Sequence, residues 1–455
     1  MSGSHAPNTV DLVVRNADWV VTMAGIDIEG GWVACDAGVI TAVGPSGHEP
    51  VARRTLDARG AIVTPGLVNA HHHLFQNLTR AYVPACASGL EEWLGHLRPI
   101  WARLDEDTAY LSAWIGLAEL ALAGCTTTAD NIYLHPKPGL VEASITAATE
   151  LGMRLDPCRG FVDIARIPVD GAQDEETILR RSEELFVAFH DPSPASRTRI
   201  SLGPTALAAT SSRLLERSAE LASRFDARLH LHLFEQQGEA AASLRDFGRR
   251  PVDVLVDAGW SGRAWIAHGI YTTEADVAAL SAAGIGVAHC PSSNLMLGGA
   301  AAPVTALRQA GCGVGLGTDG AASSGLAQPW LEARTALLLA REHSGPAAMT
   351  AREALAMATL GGAHCLGRDG EVGALAPGLQ ADLAVWDTGG IGYAGAGTDP
   401  VEAWLRCGPP TVRHTVVAGR PIVTDGALAV DGLEERLESH AKYAQSWQQH
   451  LATTP

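Results

Sequence analysis

Pro65-Gly66-Leu67-Val68-Asn69-Ala70-His71-His72-His73 is the stretch on which the reading of this chain turns. The apolar run Ala61 to Val63 leads into it, and it ends in three consecutive histidines. Alternate side chains of a strand share a face, so His71 and His73 point one way and His72 the other. Two imidazoles on one face at the end of a buried strand make half of a metal site. A single histidine in such a place is usually a packed core residue. Here matching groups occur at the ends of later strands, and they change the reading.

Apolar, strand-like runs recur through the middle of the chain: Ile62–His73, Thr126–Asn131, Met153–Gly160, Arg199–Pro204, Ala227–Glu235, Ala264–Gly269, Ile285–Pro291 and Gly313–Asp319. Helical stretches lie between them, among them Asp107–Ala123, Glu175–Phe189, Ser211–Arg224, Glu274–Ala283 and Pro329–Glu342. Strand and helix alternating in this way predict a parallel sheet, and eight units predict its closure into a (β/α)8 barrel. An open nucleotide-binding sheet has only Gly315-Leu-Gly-Thr-Asp-Gly320 in its favour. That pattern lies on the last strand with a polar loop behind it, not a helix start.

In such a barrel the chemistry sits at the carboxyl ends of the strands. Strand one ends in His71 and His73, and strand five reads Arg228-Leu-His230-Leu-His232-Leu-Phe-Glu235. Of its two histidines only His232 reaches the end; His230 is expected one layer deeper, packed in the core. Glu235 falls where the chain leaves the strand, placed to carry a proton. Strand six ends at His268, strand seven at His289 and strand eight at Asp319. A carboxylate after an apolar, glycine-rich strand needs a partner for its charge, and a metal supplies one. His289 fits a packed position as well as a site position. Three imidazole nitrogens from His71, His73 and His232 with one oxygen of Asp319 suit Zn²⁺ or Fe²⁺. A water on such an ion has its pKa lowered to roughly 7. Asp319 is then placed to take its proton and Glu235 to protonate a substrate nitrogen.

The two ends of the chain read differently from the middle. Asp11–Asn16, Trp19–Thr22, Gly38–Val43, Ala381–Trp386 and Val412–Val423 are short β-rich pieces broken by turn residues. They predict one small β-sandwich domain built from residues 1–62 and 375–430, flanking a barrel over 63–374, with a polar helical tail over 431–455. The formal net charge of −17 excludes a nucleic-acid partner and an anionic membrane surface. No apolar run has membrane-spanning length. Met1–Thr9 carries no charged region before an apolar stretch, and the 8 cysteines form no CxxC pair. Free thiols in a cytoplasmic protein are therefore expected, without a zinc finger or a Cys-ligated deaminase site.

These motifs taken together resemble the amidohydrolase superfamily, and within it the mononuclear cytosine/guanine-deaminase-like and triazine-hydrolase-like branch. The resemblance is carried by Pro65–His73, His230-Leu-His232-Leu-Phe-Glu235, Ala267-His268-Gly269, Ala288-His289-Cys290-Pro291 and Gly317-Thr318-Asp319-Gly320. Gly373–Gly378 with Ala381-Asp382-Leu383 resembles that family's return into the terminal β-domain. It implies His71, His73, His232 and Asp319 as ligands of one divalent metal, zinc or sometimes iron. It also implies Glu235, His268 and Asp319 as the catalytic groups. Many superfamily members bridge two metals with a carboxylated lysine on the fourth strand. Here the only lysines are Lys137 and Lys442, and Cys158 and Pro204 fall on strands three and four. Hydantoinase, dihydroorotase, urease and phosphotriesterase chemistry is excluded on that ground.

Within the branch the chain is most similar to 8-oxoguanine deaminases, through His71–Ala81, Gly124–Thr128, Ala288–Asn294 and Met349–Ala363. The implied reaction is hydrolytic deamination of an amino-substituted aza-heterocycle such as 8-oxoguanine, guanine, isocytosine or a pterin. Loss of chloride or alkylamine from a triazine is the alternative. Gln76, Trp93, Asn131, Arg159 and His289 are expected to bind the substrate. The loop Phe234-Glu235-Gln236-Gln237, Asn131 and Met296 depart from the 8-oxoguanine pattern, so a changed ring preference is expected. A free base, rather than a nucleoside, is the expected substrate, and a homodimer the expected assembly.

Overall fold

The computed structural model describes residues 9–451; Met1–Asn8 and residues 452–455 of the expected tail lie outside them. The amino end contributes β1 (Val10–Val20), β2 (Ile28–Asp36), β3 (Val39–Pro45), β4 (Ala52–Asp57) and β5 (Ala61–Pro65). Eight short strands follow: β6 (Leu67–Asn69), β7 (Cys125–Ile132), β8 (Arg154–Phe161), β9 (Ser201–Pro204), β10 (Leu229–Leu233), β11 (Ala264–His268), β12 (Gly286–His289) and β13 (Val314–Leu316). The carboxyl end adds β14 (Leu383–Asp387), β15 (Thr411–Val417), β16 (Arg420–Thr424) and β17 (Ala427–Leu428).

Strands β6 to β13 form a closed parallel barrel, each pairing with its neighbours in chain order. Leu316 opposite Asn69 closes the ring between β13 and β6. Every residue of the eight strands is buried, which is why they read as apolar runs and not as alternating patterns. Helices cover the outside. Capping boxes start those at Glu106–Leu122, Glu274–Ala283 and Ala351–Ala356, through Asp105 with Thr108, Thr273 with Asp276 and Thr350 with Glu353. Among the described residues no helix is long and apolar enough to cross a membrane, and the cysteines are free thiols.

The strands of the two chain ends form one continuous mixed sheet in the order β17-β16-β15-β14-β5-β1-β2-β3, with β4 also on β1. It curls upon a shared core that includes Leu12, Val33, Ile40, Val63, Leu383 and Val416. The curl brings the β2–β3 turn at Gly38 against Ala418 in the β15–β16 turn.

The expected first strand, Ile62–His73, is two strands in two sheets. β5 pairs with β14 and β1 in the terminal sheet, and β6 enters the barrel. The hand-over is at Gly66, where a Cβ would lie 2.2 Å from the Thr126 side chain, and the Gly66 amide donates to the Asp382 carbonyl at 3.0 Å. His71 to His73 therefore follow the strand instead of ending it. Helix Leu433–Leu451, the expected tail, returns to the barrel: Trp447 is buried and Gln448 donates to the Leu78 carbonyl at 3.0 Å.

Barrel and terminal sheet are tied by buried charges. Arg154 on β8 meets Asp382, just before β14, at 2.7 and 3.1 Å, and also donates to Gln380 at 2.9 Å. Arg368 makes a similar two-point contact with Asp156. Removing one partner of such a pair strands a buried charge. Asp382→Ala should destabilise the fold by about 3–5 kcal/mol, read as a lowered urea midpoint; a loss under about 1 kcal/mol would show that the pair does not hold the two parts together.

Candidate functional site

At the carboxyl end of the barrel, His71, His73, His232, His268 and Asp319 converge. The ligand-type atoms of His71, His73 and His232 lie within 4.8 Å of one another, as do those of His71, His268 and Asp319. Asp319 Oδ1 is 3.4 Å from Nε2 of His71 and 3.4 Å from Nε2 of His73.

The tautomers follow from the partners of the other ring nitrogens. His73 Nδ1 lies 2.6 Å from the Asn131 carbonyl, and His232 Nδ1 lies 2.6 Å from the Thr205 carbonyl. A carbonyl only accepts, so both Nδ1 atoms are donors and both Nε2 atoms carry lone pairs. Those two lone pairs face each other at 3.0 Å. His230 works one layer below. Its Nδ1 donates to the Trp265 carbonyl at 3.0 Å, so its Nε2 accepts from His71 Nδ1 at 2.9 Å. That leaves the buried His71 Nε2 without a hydrogen-bond partner. Three lone pairs and a carboxylate oxygen pointed at one another repel unless a cation lies among them, so the residues present fit a divalent metal. Burial holds the His71, His73 and His232 imidazoles below their ordinary range, His73 at about 3, which keeps them neutral as ligands must be.

His72 takes the opposite direction, its Nδ1 toward the Asp319 carbonyl. Asp319 is held on all sides: Ser293 and Ser323 hydroxyls donate to Oδ2 and the Gly320 amide donates to Oδ1 at 2.8 Å. Burial alone would raise its carboxyl, but the close approach of the His71 ring, with His73 and His268 behind it, holds it well below the usual range. The glycines of Gly315–Gly320 serve close approach, not phosphate binding. A Cβ on Gly317 would lie 2.7 Å from His71 Cβ, and one on Gly320 would lie 1.8 Å from Gln76 Oε1. A four-residue helix, Ala321–Ser324, follows this pattern where a polar loop is expected.

Glu235 stands beside this group, its side chain 17% exposed, with Oε1 3.5 Å from His268 Nε2. Burial lifts its carboxyl to about 7. His268 is oriented by Asn294, whose Oδ1 accepts from Nδ1 at 2.9 Å. Phe234, His268 and Asp319 have φ of 58°, 75° and 56°, a left-handed backbone that costs of order 1–3 kcal/mol each and turns the chain sharply at three strand ends.

These groups border a cleft of about 620 Å³, a size suited to a small organic molecule. His73, His232, Glu235, His268 and Asp319 line it, with Gln76 and Trp93. Asn131, Arg159 and His289 do not. Asn131 contributes its backbone carbonyl to His73, while its side-chain amide is buried against Gly160. Arg159 has the other strand parity and turns away, donating to Gln173 and to the Gly160 carbonyl, beside Lys137 and Arg181. His289 faces a separate cavity between β12 and helices Val304–Gln309 and Pro329–Ser344.

Other contributors carry no signal in the sequence. Tyr133, Leu90, Val162 and Phe247 form much of the cleft wall. Glu239 accepts from the amides of Phe234, Glu235 and Gln236 at 2.6, 2.8 and 2.8 Å, fixing the loop that presents Glu235. An acid in the first turn of a helix just after a strand end is the one hint of it.

The amidohydrolase family matches residues 62–422, and the chain belongs to that family. It is 40% identical to an 8-oxoguanine deaminase of Pseudomonas aeruginosa, over 92% of this chain and 95% of that one. It is 33% identical to an isoxanthopterin deaminase of an unknown prokaryotic organism, over 86% of each. A mutant of atrazine chlorohydrolase from Arthrobacter aurescens TC1, crystallised with zinc and atraton, superposes with a TM-score of 0.91 at 29% identity, covering 95% of this chain and 100% of that one.

The His230 relay makes a specific demand. His230→Phe removes the acceptor that fixes the His71 tautomer, so affinity for a divalent metal should fall about 10–100-fold while the fold persists. Chelator competition measures it; unchanged affinity would mean that His230 only fills space.

Proposed function

We propose that this chain is a hydrolytic deaminase of amino-substituted nitrogen heterocycles, and that His71, His73, His232 and Asp319 hold one divalent metal for the reaction. The observation that carries the reading is a cleft in which a convergent donor set and a separate proton-carrying acid, Glu235, sit side by side. A metal that only stabilised the fold would need no such acid. The donor set suits Zn²⁺, and Fe²⁺ as well. When bound, the ion supplies a Lewis acid that lowers the pKa of a water to about 7.

The residues divide the remaining work. Asp319, whose Oδ1 faces the donor set, takes a proton from the attacking water. Glu235 gives a proton to the ring nitrogen next to the carbon that carries the amine. Its carboxyl, lifted to about 7, is half protonated near neutral pH. His268, steered by Asn294, holds the Glu235 side of the site. A C–O bond forms at the ring carbon, Asp319 passes its proton to the amine, the C–N bond breaks and ammonia leaves, and the proton of the new hydroxyl returns to Glu235 as the carbonyl forms. Gln76 and Trp93 are assigned to the substrate ring, Trp93 through an apolar face and Gln76 through an amide that both donates and accepts. The relatives named for 8-oxoguanine and isoxanthopterin support this substrate class as free bases; those named for 5-methylthioadenosine and 5'-deoxyadenosine keep a nucleoside as the alternative. The likeness to atrazine chlorohydrolase supports a second reading, the same attack on a triazine with chloride or alkylamine leaving.

Coupled ammonia assays across aminopurines, pterins and aminopyrimidines, with a nucleoside, a chlorotriazine and an N-acyl amide as counter-probes, test the proposal. Turnover of free bases is expected; inert free bases beside an active counter-probe would sink it. Elemental analysis should find one metal per chain, because no lysine stands on a barrel strand to bridge two; two equivalents would contradict the mononuclear reading. Glu235→Gln should retain that metal and lose at least about 100-fold in kcat.

A further inference from the structure

Among the described residues three arginines, Arg154, Arg159 and Arg368, are fully buried. Arg154 and Arg368 are each matched to a carboxylate at two points. Arg159 has no such match. Its guanidinium donates to the Gly160 carbonyl at 2.7 Å and to the side-chain oxygen of Gln173, both neutral groups. Among the described residues no carboxylate lies within 4.0 Å of it. A buried charge without a counter-charge is costly. Burial and the nearby Arg181 bring its pKa down to about 9, so it still carries its charge at neutral pH.

Arg159 faces a cavity of about 240 Å³ between the segment His135–Glu142 and helix Glu175–Phe189. The cavity and the catalytic cleft share no lining residue. Lys137, Arg180 and Arg181 are the other cations on its wall, and Glu142 is the one acid there. Arg181 stands 3.6 Å from Glu142, and Glu184 binds Arg180 and Arg181 at 2.8 and 2.6 Å. Arg159 and Lys137 are left without a counter-charge. In a chain with 33 Lys+Arg against 50 Asp+Glu, composition does not account for four cations around one cavity. Helix Leu140–Leu151 also begins on this wall, and its N-cap, Gly139, brings no side chain to its first amides.

We propose that this cavity is an anion site that takes a phosphate group, free or esterified, with Arg159 as its buried anchor. Two of the five N–H groups of Arg159 are spent on Gly160 and Gln173, and three remain. A guanidinium matches phosphate oxygens in shape, and its charge-assisted hydrogen bonds to them are strong ones. Charge selects among anions. Two cations lack a counter-charge, and a phosphate group brings about −1.5 to −2 at pH 7, where a carboxylate brings a single charge. The uncapped amides of Leu140–Leu151 add donors of the same sense. The site stands apart from the deamination chemistry and does not depend on it.

Titration calorimetry on the full-length, metal-replete protein decides it, with inorganic phosphate and ribose 5-phosphate as probes and acetate as the carboxylate control, all at one ionic strength. Phosphate should bind and acetate should not. Tighter binding of the ester assigns the site to a phosphorylated metabolite, and tighter binding of inorganic phosphate assigns it to the free ion. Arg159→Met should weaken phosphate binding about 100-fold, and the double variant Lys137→Ala with Arg180→Ala, both exposed, about 10-fold. Thermal melts show whether Arg159→Met folds; where it does not, the double variant decides alone. No phosphate binding by the wild type up to about 10 mM, or acetate bound as tightly as phosphate, overturns the assignment. So does phosphate binding that survives the substitutions, since the anion then sits elsewhere, such as at the histidine cluster.

Discussion

The site depends on the hydrogen bonds that fix which imidazole nitrogens carry protons. The carbonyls of Asn131 and Thr205 claim Nδ1 of His73 and His232, and the Trp265 carbonyl, acting through His230, claims Nδ1 of His71. Each of these carbonyls belongs to a barrel strand or lies directly after one. The barrel therefore does more than bring side chains near one another. Its backbone acceptors leave every Nε2 of the cluster as a lone pair aimed inward, where Asp319 adds a negative charge. Such a cluster is unfavourable by itself, and the surrounding strand ends must hold it in place until a cation joins it.

Tight backbone packing supplies that hold. Gly317 lets the end of β13 touch His71, and Gly320 lets the following turn touch Gln76. Three residues with left-handed backbone, Phe234, His268 and Asp319, turn the chain out of β10, β11 and β13 just where a side chain must face the cleft. Strain of this kind persists only where neighbouring structure over-determines it. The Glu239 carboxylate on three successive amides, Asn294 on His268 and two serines on Asp319 are the neighbours that do so here.

Much of this is legible in the amino-acid sequence. Buried parallel strands are continuously apolar, so eight such runs spaced by helical stretches reveal the barrel, and polar residues at their ends stand out as His71, His73, His232, Glu235, His268 and Asp319. What escapes the sequence is set by contacts between distant positions. Ile62 to His73 reads as one strand because only the approach of Gly66 to Thr126 divides it between two sheets. Asn131, Arg159 and His289 sit at or near strand ends like the others, but parity and local packing turn their side chains from the cleft. Asn131 serves through its carbonyl, and carbonyls leave no mark in a sequence. Arg98, Tyr133 and Phe247 reach the cleft from helices and loops whose placement only the closed barrel defines.

The two carboxylates of the site illustrate how one fold can run acid and base chemistry together. Burial pushes both upward, yet they end far apart. Asp319 accepts from the Gly320 amide and two serines and faces the imidazoles of His71 and His73, and its charged form wins. Glu235 is less than 4 Å from His268 but otherwise faces the cleft, so burial dominates and its carboxyl rises to about 7. Titratable groups pushed apart in this way suit the proposed roles of base for Asp319 and acid for Glu235.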